Sequence, residues 1–138
     1  MRAGTETNIP GQDALSGVIK FPRTPHLWPP PGVDIRDDKL LSEEEAGKFL
    51  SEPIVVEEKI DGANVGLAMQ HGMLKIWNRR TVLRPGEHPQ FNPIWEWAMQ
   101  RNSLWDRYLG QRFVLFGEWC FYQHSIFYDA LPDWFMGF

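Results

Sequence analysis

The residues best suited to chemistry in this chain stand together in Glu57-Glu58-Lys59-Ile60-Asp61-Gly62-Ala63-Asn64. The pattern Lys-x-Asp-Gly-x-Asn places an amine at the end of the β-rich run Ile54-Val55-Val56-Glu57-Glu58-Lys59, just before a tight turn. An amine held at a strand end by a rigid sheet is well presented as a nucleophile. Gly62 is expected to permit backbone angles and a close ligand approach that a side chain would block. Lysine is ordinarily protonated at neutral pH. A site that uses one to attack phosphorus must therefore favour the neutral amine, by burial or by nearby cations. The plainer alternative is that Lys59 and Asp61 are ordinary turn residues after a strand.

The elements that must position this run are legible on both sides of it. After the 54–59 strand, Val65 to Met69 and Met73 to Trp77 alternate as a hairpin around His71-Gly72. Upstream, Ser42-Glu43-Glu44-Glu45 predicts a capped helix with Ala46, Phe49 and Leu50 on its buried side. Ile19 to Phe21 reads as a short strand, and the proline-rich stretch from Pro22 to Gly32 as an extended loop. Residues 1–17 are polar and Gly-rich, the composition of a flexible arm.

Downstream, Arg84 to Pro93 reads as a loop. Asn92 then caps a helix that starts at Pro93 and runs to about Leu109. Its apolar face is Ile94, Trp97, Ala98, Trp105 and Tyr108, and these aromatics suit a core better than an RNA platform. Arg112 to Trp119 predicts another strand. Strands and short helices follow one another without regular alternation, so the fold class is α+β with antiparallel sheets.

Composition bounds the rest. A chain of 138 residues with 43% hydrophobic and 23% charged residues fits one globular domain. The net charge of −4 excludes a surface built for general nucleic-acid binding but leaves room for a small basic groove. Cys120 is the only cysteine, which excludes internal disulfides and cysteine-based zinc. His26, His71, His88 and His124 have no metal-ligand spacing, so no protein metal ligand is assigned. No run is long and apolar enough to span a membrane and no signal peptide is visible, so a cytoplasmic protein with no membrane partner is expected.

Lys59-Ile60-Asp61-Gly62-Ala63-Asn64 resembles motif I of the covalent nucleotidyltransferases, the ATP-dependent RNA and DNA ligases and mRNA capping enzymes. Asn78-Arg79-Arg80 resembles motif Ia, Phe116-Gly117-Glu118-Trp119 motif III, and Phe135-Met136-Gly137-Phe138 the opening of motif IIIa. The order and spacing of the four fit. Lys20-Phe21-Pro22-Arg23-Thr24-Pro25-His26-Leu27 and the form of motif I lean toward the RNA ligase branch, with a DNA ligase or capping enzyme as the alternative within the class. The resemblance implies an antiparallel-sheet, ATP-grasp-like adenylation domain, of which residues 18–138 are the N-terminal portion.

It also implies roles. Lys59 would attack the α-phosphate of ATP to form lysyl-AMP, with Mg²⁺ offsetting the triphosphate charge. The AMP would then pass to an RNA 5′-phosphate, and a 3′-hydroxyl would seal an RNA end or nicked duplex, as in RNA repair. Arg79 would contact the nucleotide sugar or phosphates, and a solvated hairpin end is the alternative for Arg79 and Arg80. Glu118 would accept from a ribose hydroxyl or help position metal, with a surface ion-pair partner as the alternative. Phe138 would stack on adenine, or be a packing residue at a terminus. Glu58 would face the adenine edge and Lys20 a phosphate, while Asp61, Gly62 and Asn64 support motif I. The family's motifs IV and V, a strand glutamate and paired lysines, would follow Phe138. The expectation is a fragment of a longer ligase, inactive or weakly active until a polypeptide carrying those motifs completes it. A non-catalytic remnant that binds nucleotide or RNA ends is the competing class.

Overall fold

A computed structural model describes residues 17–28, 31–32 and 40–138. The N-terminal arm lies outside the described residues except for Gly17. Two compact units are present, Met1–Phe21 with Ile60–Phe138, and Pro22–Lys59.

In the smaller unit, α1 (Glu43–Leu50) begins with the expected capping box. The Glu45 N–H donates to Ser42 Oγ at 3.2 Å, and the Ser42 N–H donates back to Glu45 Oε2 at 2.9 Å. Only Ala46 of its predicted buried side is buried, while Phe49 and Leu50 remain exposed. A unit this small has too little chain to cover a helix face. A second correction concerns Ile54–Lys59, which forms no strand. Val55 and Val56 are each 85% exposed. No backbone ladder among the described residues pairs with the run, and β propensity without a partner does not make a strand.

The larger unit is an antiparallel sheet packed on helical turns, as the α+β reading expects. β1 (Ala63–Gln70) and β2 (Met73–Asn78) form the predicted hairpin. His71 and Gly72 both have positive φ, 50° and 75°, the signature of a two-residue turn whose twist matches that of the strands. β3 (Val114–Trp119) begins two residues later than predicted, and β4 (Phe135–Gly137) closes the order β2-β1-β3-β4. Alternation sends Val65, Leu67, Met69, Ile76 and Trp119 to one face. There they join Leu83, Phe91, Ile94, Trp97, Ala98, Trp105, Leu109 and Phe135 in the core.

The helix predicted from Asn92 to Leu109 is broken. α2 (Asn92–Met99) is capped at Phe91, not at Asn92, whose Oδ1 instead accepts from the Gly86 N–H at 3.0 Å. A short α3 (Asn102–Leu104) runs into a π-helical turn at Trp105–Leu109, where the Gly110 N–H reaches back to Trp105 O. The wider turn advances each side chain by a smaller angle than an α-helix does. Leu109 therefore takes the buried position and Tyr108 is 63% exposed, against expectation. Trp105 Nε1 donates to Ala98 O at 2.8 Å, which ties the two helical pieces together.

Ile19–Phe21 is also not a strand. Its neighbourhood is held by side chains instead of a ladder: Trp77 Nε1 donates to Ile19 O at 2.7 Å and Lys75 Nζ to Gly17 O at 3.2 Å.

Candidate nucleotide-site face of the sheet

The face of the sheet turned away from the core carries Asn64, Glu118 and Phe138 of the sequence-predicted residues. Register sets them in two rows. One row is Asn64, Glu118 and Met136, and the next is Trp77, Gly66 and Phe116, with Phe138 just past β4. Successive same-face rows lie about 6.6–6.8 Å apart, roughly the reach from a ribose to its base.

In the polar row, Asn64 Nδ2 lies 3.4 Å from Glu118 Oε1. Glu118 is 8% exposed, a carboxylate withdrawn from bulk water and oriented by its neighbour across the ladder. Its burial is not that of a residue on the open surface.

The second row is aromatic. The Trp77 indole lies flat over Gly66, where an added Cβ would stand 2.4 Å from Trp77 Cε2. Phe116 packs edge-on against Trp77, and Phe21 packs edge-on against both Phe116 and Phe138. The Phe138 N–H donates to Phe116 O at 3.0 Å, and its ring is 53% exposed. Phe138 is thus a packing residue along its edge and an open surface on the remainder. β4, with Met136 on this face and Phe135 on the core face, follows a clasp in which Asp133 accepts from Trp97 Nε1 at 2.8 Å and pairs with Arg101 at 2.7 Å.

Arg79 and Arg80 are exposed in the turn after β2. Asn78 builds that turn, its Oδ1 accepting from the Arg80 and Thr81 N–H groups at 2.8 and 2.9 Å. The end of β2 lies beside the start of β1, with Asn78 opposite Val65, so Arg79 emerges at the same end of the sheet as Asn64 and Glu118. Lys59 and Glu58 are exposed. Lys20 is exposed as well. Three residues, 60–62, join Lys59 to β1.

Gly62 has a different purpose from the one expected. Its φ is not positive, and its space is filled by the protein. A Cβ there would stand 2.9 Å from Trp119 O and 3.0 Å from Cys120 Sγ. The glycine lets the turn press against the end of β3.

Asp61 is likewise anchored. Its Oδ2 accepts from the Ser125 N–H at 2.9 Å and from Ser125 Oγ, and these bonds hold its carboxyl below the usual aspartate range. The Asp61 N–H donates to Tyr128 Oη at 2.8 Å. Sequence reasoning missed Ser125, Tyr128 and Phe21, and no local signal marks them, since the Asp61–Ser125 contact spans 64 positions.

Among the described residues, no group of three or more His, Cys, Asp or Glu could hold a metal ion. No helix among them is long and apolar enough to cross a membrane.

The fold and this face define an α+β protein whose antiparallel sheet carries a buried carboxylate beside an aromatic row, at the end where a Lys-x-Asp-Gly turn enters. The model of the RNA ligase family matches residues 52–138, and the chain belongs to that family. Its general function is of RNA ligase type. No curated relative and no solved structure matches.

Proposed function

We propose that the protein is an ATP-dependent RNA ligase that carries AMP on Lys59. The observation that carries this reading is the juxtaposition of the Asn64–Glu118 row with the Phe116–Phe138 row, two residues along the strands apart. A nucleoside laid across them has a carboxylate acceptor for a ribose hydroxyl and an aromatic surface for its base. Glu118 is the ribose acceptor, Phe138 the stacking surface, and Arg79 a fork of donors for sugar or phosphate. Glu58 and Lys20 are secondary contacts, to the adenine edge and a phosphate.

The reaction balances as three transfers. The neutral Lys59 amine attacks the α-phosphorus, the N–P bond forms, the bond to pyrophosphate breaks, and the amine proton goes to solvent. A 5′-phosphate oxygen of RNA then attacks that phosphorus and Lys59 leaves as the amine. A 3′-hydroxyl finally attacks the activated 5′-phosphate, and AMP departs. Mg²⁺ is the counter-ion of the triphosphate in this reading, and Glu118 is the carboxylate on this face that could help position it.

The test is incubation with α-labelled ATP and Mg²⁺, using the chain alone and the chain supplied with a segment carrying motifs IV and V. Label that survives denaturation is expected in the completed form and absent after Lys59→Ala. Clear labelling of the chain alone would show that those motifs are dispensable. Failure of the completed form to label, despite nucleotide binding, would leave the non-catalytic binding reading in its place. Matched nicked substrates that differ only in RNA or DNA flanking the nick decide the polymer.

A further inference from the structure

The turn that carries motif I is held from two sides by parts of the chain distant in sequence. On one side Gly62 presses against Trp119 O and Cys120 Sγ. On the other, Asp61 is gripped through both its side chain and its backbone by Ser125 and Tyr128. The gripping segment has its own brace, as His124 Nε2 lies 2.9 Å from Gln90 Nε2. Gln90 O in turn accepts from Trp119 Nε1 at 2.8 Å. The Ser125 bonds end on an ionised carboxylate, which makes them stronger than neutral ones.

Lys59 is two residues from Asp61, so their Cα atoms can be no more than about 7 Å apart. Fixing Asp61 at both its carboxylate and its N–H therefore restricts where the Lys59 amine can travel. Resting on the reading of Lys59 as the adenylylated residue, we infer that Tyr128 and Ser125 are positioning residues that hold the motif I turn for in-line attack on the α-phosphorus. They act through Asp61 and contact neither nucleotide nor RNA. Their removal loosens the nucleophile without altering the surface that binds ATP. A misplacement of about 1 Å can lower a rate by as much as ~100-fold.

The experiment uses Tyr128→Phe, Ser125→Ala and Ser125→Thr in the labelling assay, with single-turnover rates measured across ATP concentrations. Thermal unfolding and hydrogen exchange at the Asp61 amide are followed in parallel. Tyr128→Phe and Ser125→Ala should slow lysyl-AMP formation about 10-fold or more, with the half-saturating ATP concentration changing less than about 2-fold. Ser125→Thr, which keeps the hydroxyl, should restore most of the rate. Tyr128→Phe should also speed exchange of the Asp61 amide without a shift in the unfolding midpoint. Rates equal to the parent's, or a loss expressed only in ATP affinity, would overturn the inference and leave the ligase reading intact. All variants are compared in the form completed with motifs IV and V, and a completed parent that takes no label would overturn both. An Asp61 amide equally protected in Tyr128→Phe would show that the hydroxyl does not hold the turn.

Discussion

Asn64 and Glu118 stand directly opposite each other in the β1–β3 ladder, and the Asn64 amide reaches Glu118 Oε1 at 3.4 Å. A hydrogen bond this long is weak, so its value lies in orienting a buried carboxylate more than in stabilising the sheet. Glu118→Gln keeps the shape and removes the charge. A hydrogen bond to a charged group is worth roughly 1.5–3 kcal/mol, so labelling efficiency should fall about 10-fold or more while the unfolding midpoint barely moves. Asn64→Asp sets two carboxylates face to face and should lower both labelling and stability. An Asn64→Asp protein as stable as the parent would contradict this geometry.

Gly66 and Gly47 give opposite expectations for the same substitution. At Gly66 an added methyl collides with the indole of Trp77, which is fully buried and fastened to Ile19 O. Gly66→Ala should destabilise the sheet by about 1–3 kcal/mol, as overpacking does. Nothing lies within 4 Å of a Cβ at Gly47, inside α1. Gly47→Ala should stabilise by up to about 1 kcal/mol through helix propensity. Chemical denaturation of the two variants checks the contrast.

The Asp61 clasp predicts a pH dependence with a definite sign. The Ser125 bonds lower the carboxyl pKa in the folded protein from its ordinary value of 3.8. As the pH falls through this range, the unfolded chain takes up the proton first. The contribution of the clasp is therefore complete above the ordinary aspartate range and is lost as the pH drops below it. The Ser125 and Tyr128 resonances should report this loss on acid titration, and Asp61→Asn should flatten it.

Cys120 lies against Gly62, and burial pushes its thiol pKa up, with the carboxylates of Glu118 and Asp61 adding to the shift. Since the thiolate is the reactive form, iodoacetamide at pH 8 should alkylate the native protein at least ~10-fold more slowly than the denatured chain. Mass spectrometry of the modified peptide measures this directly. Rapid native alkylation would mean that the turn opens readily around Gly62.

Local signals carried the hairpin and the helix cap. Alternation over Val65–Trp77 and the His71-Gly72 turn define β1 and β2 without outside help, and Ser42 with Glu45 defines the start of α1. The failures have two causes. Ile54–Lys59 has every residue a strand needs except a partner, and no sequence pattern reports whether a partner is present. Tyr108 fell on the wrong side because a helical wheel assumes an unbroken α-helix, and the chain inserts a π turn.

The family was legible as ordered motifs, because the residue types and spacings around Lys59, Arg79, Glu118 and Phe138 are written along the chain. Tertiary structure alone decided that Glu118 is buried opposite Asn64, and that Phe138 shares its face with Phe116 and Phe21. It also decided that Asp61 is gripped by Ser125 and Tyr128 and that Gly62 makes room for the end of β3. Each of these depends on ladder register and on contacts between residues far apart in sequence. Such contacts form only when the sheet closes, so no window of local sequence contains them.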